Sequence, residues 1–137
     1  MKVEHLGIAV RDLQAAESLY ERLLGLAPYK RETVESEAVV TSFIQAGETK
    51  LELLEATAPH SAIAGFIEKR GEGLHHIAFE VEDIRAEMER LRAAGFRLLN
   101  EAPKRGADRK WVCFVHPKDS GGVLVELCQE IREGETV

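Results

Sequence analysis

Two histidines and two glutamates stand at corresponding places in this 137-residue chain. His5 opens the phrase His5-Leu6-Gly7-Ile8-Ala9-Val10-Arg11-Asp12-Leu13, and His76 opens His76-Ile77-Ala78-Phe79-Glu80-Val81-Glu82-Asp83-Ile84. An aspartate follows each histidine by seven positions. Later in each half a glutamate lies between apolar residues, as Leu51-Glu52-Leu53 and as Val125-Glu126-Leu127. Two imidazoles and two carboxylates suit a divalent first-row metal ion, because imidazole favours Zn, Co, Ni and Fe and carboxylates extend the range to Mn. Four such ligands leave an octahedron open to substrate. Taken singly, a strand histidine is ordinarily structural and a glutamate between leucines is ordinarily the solvated face of a strand. What points to chemistry is that one alignment makes both the histidines and the glutamates equivalent.

The elements that must position these residues repeat as well. Asp12 and Asp83 are placed to cap helices. Ala16, Leu19, Tyr20, Leu23 and Leu24 recur at helical spacing after the first, and Ile84, Met88 and Leu91 after the second. Gly25 and Gly95 are the expected stops. Ser42 falls opposite Cys113 at the 71-residue offset that relates His5 to His76. Glu52 and Glu126 are 74 apart, so the second copy carries a turn three residues longer, matching Pro117-Lys118-Asp119-Ser120-Gly121-Gly122. Each copy therefore reads as a strand, a helix and a meander of about three strands. Module 1 spans about 1–57 and module 2 about 73–130 of a single domain. The linker, about 58–72, is predicted to be a helix starting at Pro59, with Ile63, Phe66 and Ile67 on its apolar side and Gly71 at its end. The charged tail, 131–137, is expected to fray.

Strand alternation sorts the side chains. Leu6, Ile8 and Val10 pack under the first helix, which leaves His5, Gly7 and Ala9 on the other face. Ile77, Phe79 and Val81 repeat this, opposite His76, Ala78 and Glu80. Glu52 and Leu54 oppose Leu51 and Leu53, and Glu126 and Cys128 oppose Val125 and Leu127. Both histidines and both glutamates thus lie on faces that the helices do not cover. His75 alternates away from His76, His60 falls in the linker and His116 begins a turn.

Composition limits the rest. The chain is 45% hydrophobic and 31% charged, as in ordinary globular proteins. No apolar run approaches the roughly 20 residues of a membrane span, and a strand begins too early for a signal peptide. Cys113 and Cys128 form neither a disulfide framework nor a CxxC site, so they are expected as reduced thiols in the cytoplasm. The net charge of −6 argues against general nucleic-acid binding. Lys104, Arg105, Arg109 and Lys110 supply a local basic patch, and Trp111 is expected in the core.

The chain resembles the vicinal oxygen chelate superfamily, and within it the methylmalonyl-CoA epimerases, from about Val3 to Gln129. The phrases that carry the likeness are Glu4 to Val10, Ile63-Ala64-Gly65-Phe66, Gly73-Leu74-His75-His76-Ile77-Ala78-Phe79 and His116 to Leu127. The resemblance implies an α+β fold in which two βαβββ modules form a curved, cup-shaped mixed sheet around a metal site. It carries the metal ligands to His5, Glu52, His76 and Glu126, although some epimerases have glutamine at the second position. Co2+ leads the expected ions, with Mn2+, Ni2+ and Zn2+ as alternatives. The implied reaction interconverts the epimers of methylmalonyl-CoA by removing and returning the α-proton with two acid/base groups. One falls on Glu126. A glutamate found on a middle strand in part of the family aligns near Thr41, where there is none, so Glu52 is the second candidate. Lys104, Arg105 and Lys118 are candidate contacts for the acyl-CoA, and a homodimer is the family's expected assembly. The alternatives are glyoxalase I acting on a glutathione hemithioacetal, a metal-free small-molecule binding protein, and a ring-cleaving dioxygenase, which ordinarily needs only two histidines and one carboxylate.

Overall fold

The computed structural model of the chain describes residues 1–135. It contains the strands β1 (Lys2–Ala9), β2 (Lys30–Val34), β3 (Val39–Ala46), β4 (Thr49–Ala56), β5 (Gly73–Glu80), β6 (Lys104–Gly106), β7 (Lys110–Val115) and β8 (Val125–Glu130). The helices are α1 (Leu13–Leu24), α2 (Ala62–Arg70) and α3 (Ile84–Ala93). The predicted order of strand, helix and three strands occurs twice, with α2 between the copies, and this is the expected α+β arrangement. The chain forms two compact units, one of His5–His75 and one that joins Met1–Glu4 to His76–Val137.

In the first unit the strands run β2-β3-β4-β1, with β1 parallel to β4 and the other pairs antiparallel. The second unit repeats this as β6-β7-β8-β5, with β5 parallel to β8. Helix starts are built alike. Asp12 Oδ1 accepts from Ala15 N at 3.0 Å, and Asp83 Oδ1 accepts from Ala86 N at 3.1 Å. A side chain from the last strand region satisfies the next free amide in each case. Glu55 Oε1 accepts from Leu13 N at 2.6 Å, and Gln129 Oε1 accepts from Ile84 N at 2.8 Å. Glu55 and Gln129 are related by the same 74-residue offset as the two glutamates. The cap therefore fastens each helix to the strand that carries Glu52 or Glu126.

Each helix packs on the face opposite its histidine. Leu13 and Ala16 meet Val10, Ile44 and Leu53 in one core, and Ile84, Met88 and Leu91 meet Val81, Cys113 and Leu127 in the other. Burial pushes the Cys113 thiol up to about 11, and the nearby Glu126 charge adds to this. Desolvation also raises Cys128. Both thiols are free and buried. At Ser42, the counterpart of Cys113, the first core is polar instead. The Ser42 hydroxyl donates to Glu17 Oε2 at 2.5 Å, and the Arg31 guanidinium also binds the Glu17 carboxylate.

Three expectations need correction. The stripe on α1 is only partly buried, since Leu19 and Leu23 are 49% and 68% exposed. Helix α2 begins at Ala62 rather than Pro59, because Ser61 is its N-cap and accepts from Ile63 N at 3.2 Å. Helix α3, by contrast, stops where expected: Gly95, at φ 92° just past the Ala94 cap, turns the chain so that Phe96 N donates to Leu91 O at 2.9 Å. The described part of the tail is anchored: Ile131 is buried with its amide on Arg109 O, and Trp111 Nε1 donates to Glu135 at 2.9 Å. Thr136 and Val137, the end of the predicted frayed segment, lie outside the described residues.

Replacing either cap, Asp12→Ala or Asp83→Ala, should lower stability by about 1 kcal/mol in urea denaturation. An unchanged midpoint would mean that Glu55 or Gln129 holds that helix start alone.

Candidate functional site

Register decides what His5 meets. Parallel pairing of β1 with β4 puts His5 beside Lys50 and Gly7 beside Glu52. His5, Lys50 and Glu52 therefore share the face that α1 leaves uncovered. His5 Nδ1 lies 3.1 Å from Glu52 Oε2, with the two side chains only 5% and 6% exposed. The second unit reproduces the arrangement. Ala78 pairs with Glu126, and His76 Nε2 lies 3.3 Å from Glu126 Oε1 with similar burial. Each module thus holds one buried imidazole against one buried carboxylate. The nitrogen facing the carboxylate is Nδ1 in one module and Nε2 in the other.

An aromatic ring and a cation flank each pair. Antiparallel register puts Phe43 opposite Glu52 and Phe114 opposite Glu126. The Phe114 ring meets His76 edge-on at 6.0 Å. Lys104 Nζ sits 5.6 Å from the centre of that ring. Over the fully buried Phe43 ring lie Lys30 Nζ at 4.8 Å and Lys50 Nζ at 5.9 Å. Lys30 Nζ also stands 3.9 Å from Glu32 Oε1. Such placements over a ring are favourable electrostatically.

The other sequence candidates separate. Lys104 pairs with Val112, which packs with Ala78 and Cys128 on the His76 face. Arg105 pairs with Trp111, whose ring packs against the α3 core, so Arg105 lies on the opposite face. Lys118 is exposed in a single 3-10 turn over Pro117–Asp119, with its amide donating to His116 Nδ1 at 3.1 Å. Arg97 fixes that turn by binding both carboxylate oxygens of Asp119, which holds the Asp119 carboxyl down at about 2. Lys110 leaves the expected basic patch. It is buried, with Nζ 3.6 Å from Glu80 Oε1 and 4.0 Å from Glu4 Oε2. His75 packs edge-on to Phe66 at 5.0 Å, and burial holds its pKa below the ordinary value.

Three neighbours of the pairs escaped the sequence reading. Lys50 was detectable, since it precedes Glu52 by two positions and alternation puts both on one face. Lys30 needed the β2–β3 register, which sets it opposite Phe43. Glu32 needed it too, and the same pairing supplies a half-buried carboxylate opposite Thr41.

Residues 4–114 match the family model of the Glyoxalase/Bleomycin resistance protein/Dioxygenase superfamily. The chain is 45% identical over 130 residues to an ethylmalonyl-CoA/methylmalonyl-CoA epimerase of Cereibacter sphaeroides, covering 93% of this chain and 97% of that one. It is 42% identical to the human mitochondrial methylmalonyl-CoA epimerase, covering 93% of this chain and 73% of that one. A single-residue variant of a Streptomyces coelicolor methylmalonyl-CoA epimerase, solved in complex with 2-nitronate-propionyl-CoA, superposes with a TM-score of 0.92 at 35% identity, covering 96% of this chain and 99% of that one. The chain belongs to the Glyoxalase/Bleomycin resistance protein/Dioxygenase superfamily and, within it, to the methylmalonyl-CoA epimerase family.

Proposed function

We propose that this protein interconverts the epimers of methylmalonyl-CoA, using His5, Glu52, His76 and Glu126 as the ligands of one divalent ion. The observation that carries the reading is the paired burial of an imidazole and a carboxylate at equivalent places in the two modules. The donor set fits such an ion: two imidazoles and two carboxylates, each nearly removed from water. When bound, the ion supplies Lewis-acid stabilisation of negative charge developing on the thioester oxygen. Cobalt is the proposed metal, with Mn2+, Ni2+ and Zn2+ as competitors. The family assignment and the acyl-CoA relatives favour this reading over glyoxalase I.

The chain's own part is proton transfer. Glu126 is proposed to take the α-proton, so that the C–H bond breaks and its electron pair delocalises into the thioester carbonyl. Glu52 is proposed to protonate the other face of the carbon, and the reverse reaction exchanges the roles. A carboxylate that is also a ligand has a second oxygen with which to do this. Phe43 and Phe114 keep water away from the carboxylates opposite them, which strengthens their interaction with developing charge. Lys104 and Lys118 are proposed to meet the anionic end of coenzyme A, whereas Arg105, on the opposite face of its strand, is not.

The assembly is proposed to be a homodimer acting in the cytoplasm. Leucines left exposed on α1 supply apolar surface for association. Among the described residues no helix is long and apolar enough to cross a membrane. Light scattering should give twice the 15.3 kDa chain mass; a single-chain mass at working concentration would reject the dimer.

Purified protein should contain about one divalent ion per chain, and chelation should abolish epimerisation until metal is restored. Full activity in a metal-free sample would overturn the mechanism. In deuterated water the enzyme should exchange the α-proton of both epimers. Glu52→Gln should slow inversion by at least about a hundredfold, and full inversion by that variant would remove Glu52 from the acid/base pair.

A further inference from the structure

A charged cluster on the helix side of module 1 has no counterpart in module 2. Glu17 projects from α1 with its side chain 16% exposed, and Ser42 on β3 is fully buried. The Glu17 carboxylate accepts from Ser42 Oγ at 2.5 Å and from Arg31 Nε at 3.0 Å, and Arg31 Nη2 binds its other oxygen. One carboxylate thus ties α1, β2 and β3 together. At the 71-residue offset Glu17 becomes Met88 and Ser42 becomes Cys113, both buried in the α3 core. Strand β6 pairs with β7 only from Lys104, opposite Val112, so none of its residues stands against Cys113 as Arg31 stands against Ser42.

Removing such a pair from water offsets most of its attraction, so it gains little stability, and its best-attested use is to fix a register. Strand β2 needs that. It is an edge strand paired with β3, and its sequence Lys30-Arg31-Glu32-Thr33-Val34 is polar on both faces apart from Val34. Hydrophobic alternation therefore does not say which face turns inward, and a slip of one residue would bring Arg31 and Thr33 to the site face and send Lys30 and Glu32 behind the sheet. In the observed register the start of β2 covers Phe43. Lys30 Nζ is 4.8 Å from the ring centre, the Tyr29 ring is 5.9 Å away, and Tyr29 N donates to Phe43 O at 2.9 Å. Phe43 in turn stands opposite Glu52.

We propose that the Glu17–Arg31–Ser42 clamp sets the register of β2 and, by holding the cover over Phe43, positions the Glu52 side of the site for proton transfer. Glu17 and Arg31 are then positioning residues that act from behind the sheet. The inference rests on the epimerase reading and deepens it. Releasing β2 uncovers the Phe43 ring and lets water reach Glu52, which slows proton transfer and leaves substrate binding nearly as it was.

The test gives module 1 the residues of module 2. The double variant Glu17→Met with Ser42→Cys removes the clamp without stranding a buried charge, since the half-exposed Arg31 can turn to solvent, and it should still melt cooperatively. Hydrogen exchange at the amides of residues 30–34 should quicken at least about tenfold in this variant and in Arg31→Met, with α3 unaffected. Epimerisation of methylmalonyl-CoA should lose about tenfold in kcat while KM stays within about twofold. Arg31→Lys should keep most of both properties, and Glu21→Met, at an exposed position of α1, should change neither. Wild-type exchange and wild-type kcat in the double variant would overturn the proposal. Faster exchange with kcat intact would overturn it too, because the clamp would then only stabilise the strand. In both cases the epimerase reading stands. If the wild type does not epimerise methylmalonyl-CoA, that reading fails and takes the link to proton transfer with it, and exchange alone decides whether the clamp sets the register. Should the double variant not fold by circular dichroism, Arg31→Met decides, because it alters a half-exposed side chain.

Discussion

Burying an ionisable group without a partner is among the most costly things a small protein can do. This chain does it with an imidazole and a carboxylate in each of two modules, and in each module it sets the two groups against one another. The requirement that they meet fixes much else. The histidine strand must pair in parallel with the glutamate strand, in a register that puts both side chains on one face. Side-chain period in a strand is two, so a slip of one residue would turn the glutamate into the helix-side core. A parallel pair also needs a long crossover. Here that crossover is the helix and the intervening strands.

The crossover is tied back to the strand it must register. Asp12 and Asp83 cap the helices in the ordinary local way, but Glu55 and Gln129 reach from the strand that carries the glutamate. A helix start and a strand end are thus fastened at one point, three residues beyond Glu52 or Glu126. The next backbone bonds match as well, with Val10 N on Leu54 O and Val81 N on Cys128 O, each 2.9 Å. The extra turn in module 2 leaves this arrangement undisturbed. It is closed on itself by Arg97 and Asp119 and by the Ser120 hydroxyl on Val123 O, so its three added residues are absorbed before β8 begins.

What could be read from the sequence was whatever repeats or alternates. The histidine and glutamate equivalences, the two caps, the faces of Leu53 and Cys128 and the rejection of His75 all follow from period and offset. What resisted reading depends on contacts between elements distant in sequence. Glu32 is a neighbour of Thr41 only through the β2–β3 pairing. Lys110 sat in a basic stretch, yet it is buried against Glu4 and Glu80, which come from two other strands. The α1 stripe misled for a related reason: helical spacing records apolar positions, whereas a twelve-residue helix on a four-stranded face buries only the part directly over the sheet. The linker start was a matter of chain chemistry, since Ser61 offers a capping oxygen and Pro59 does not.

Duplication and its violations answer different demands of the chemistry. Inversion at carbon treats its two faces alike, because the proton removed on one side is returned on the other, and a repeated carboxylate suits both directions of the proposed transfer. The molecule being inverted is not alike at its two ends. One end is a carboxylate, the other a thioester with a long anionic carrier. A perfectly repeated scaffold would bind such a substrate in two orientations of equal energy. This chain departs from its own repeat at Lys50 against Leu124, at two cations on Phe43 against Lys104 on Phe114, and at the HPK turn present in one copy alone. Under the proposed mechanism the residues that repeat, Glu52 and Glu126, serve the two faces of the carbon, and a departure from the repeat is what can favour one orientation of the substrate.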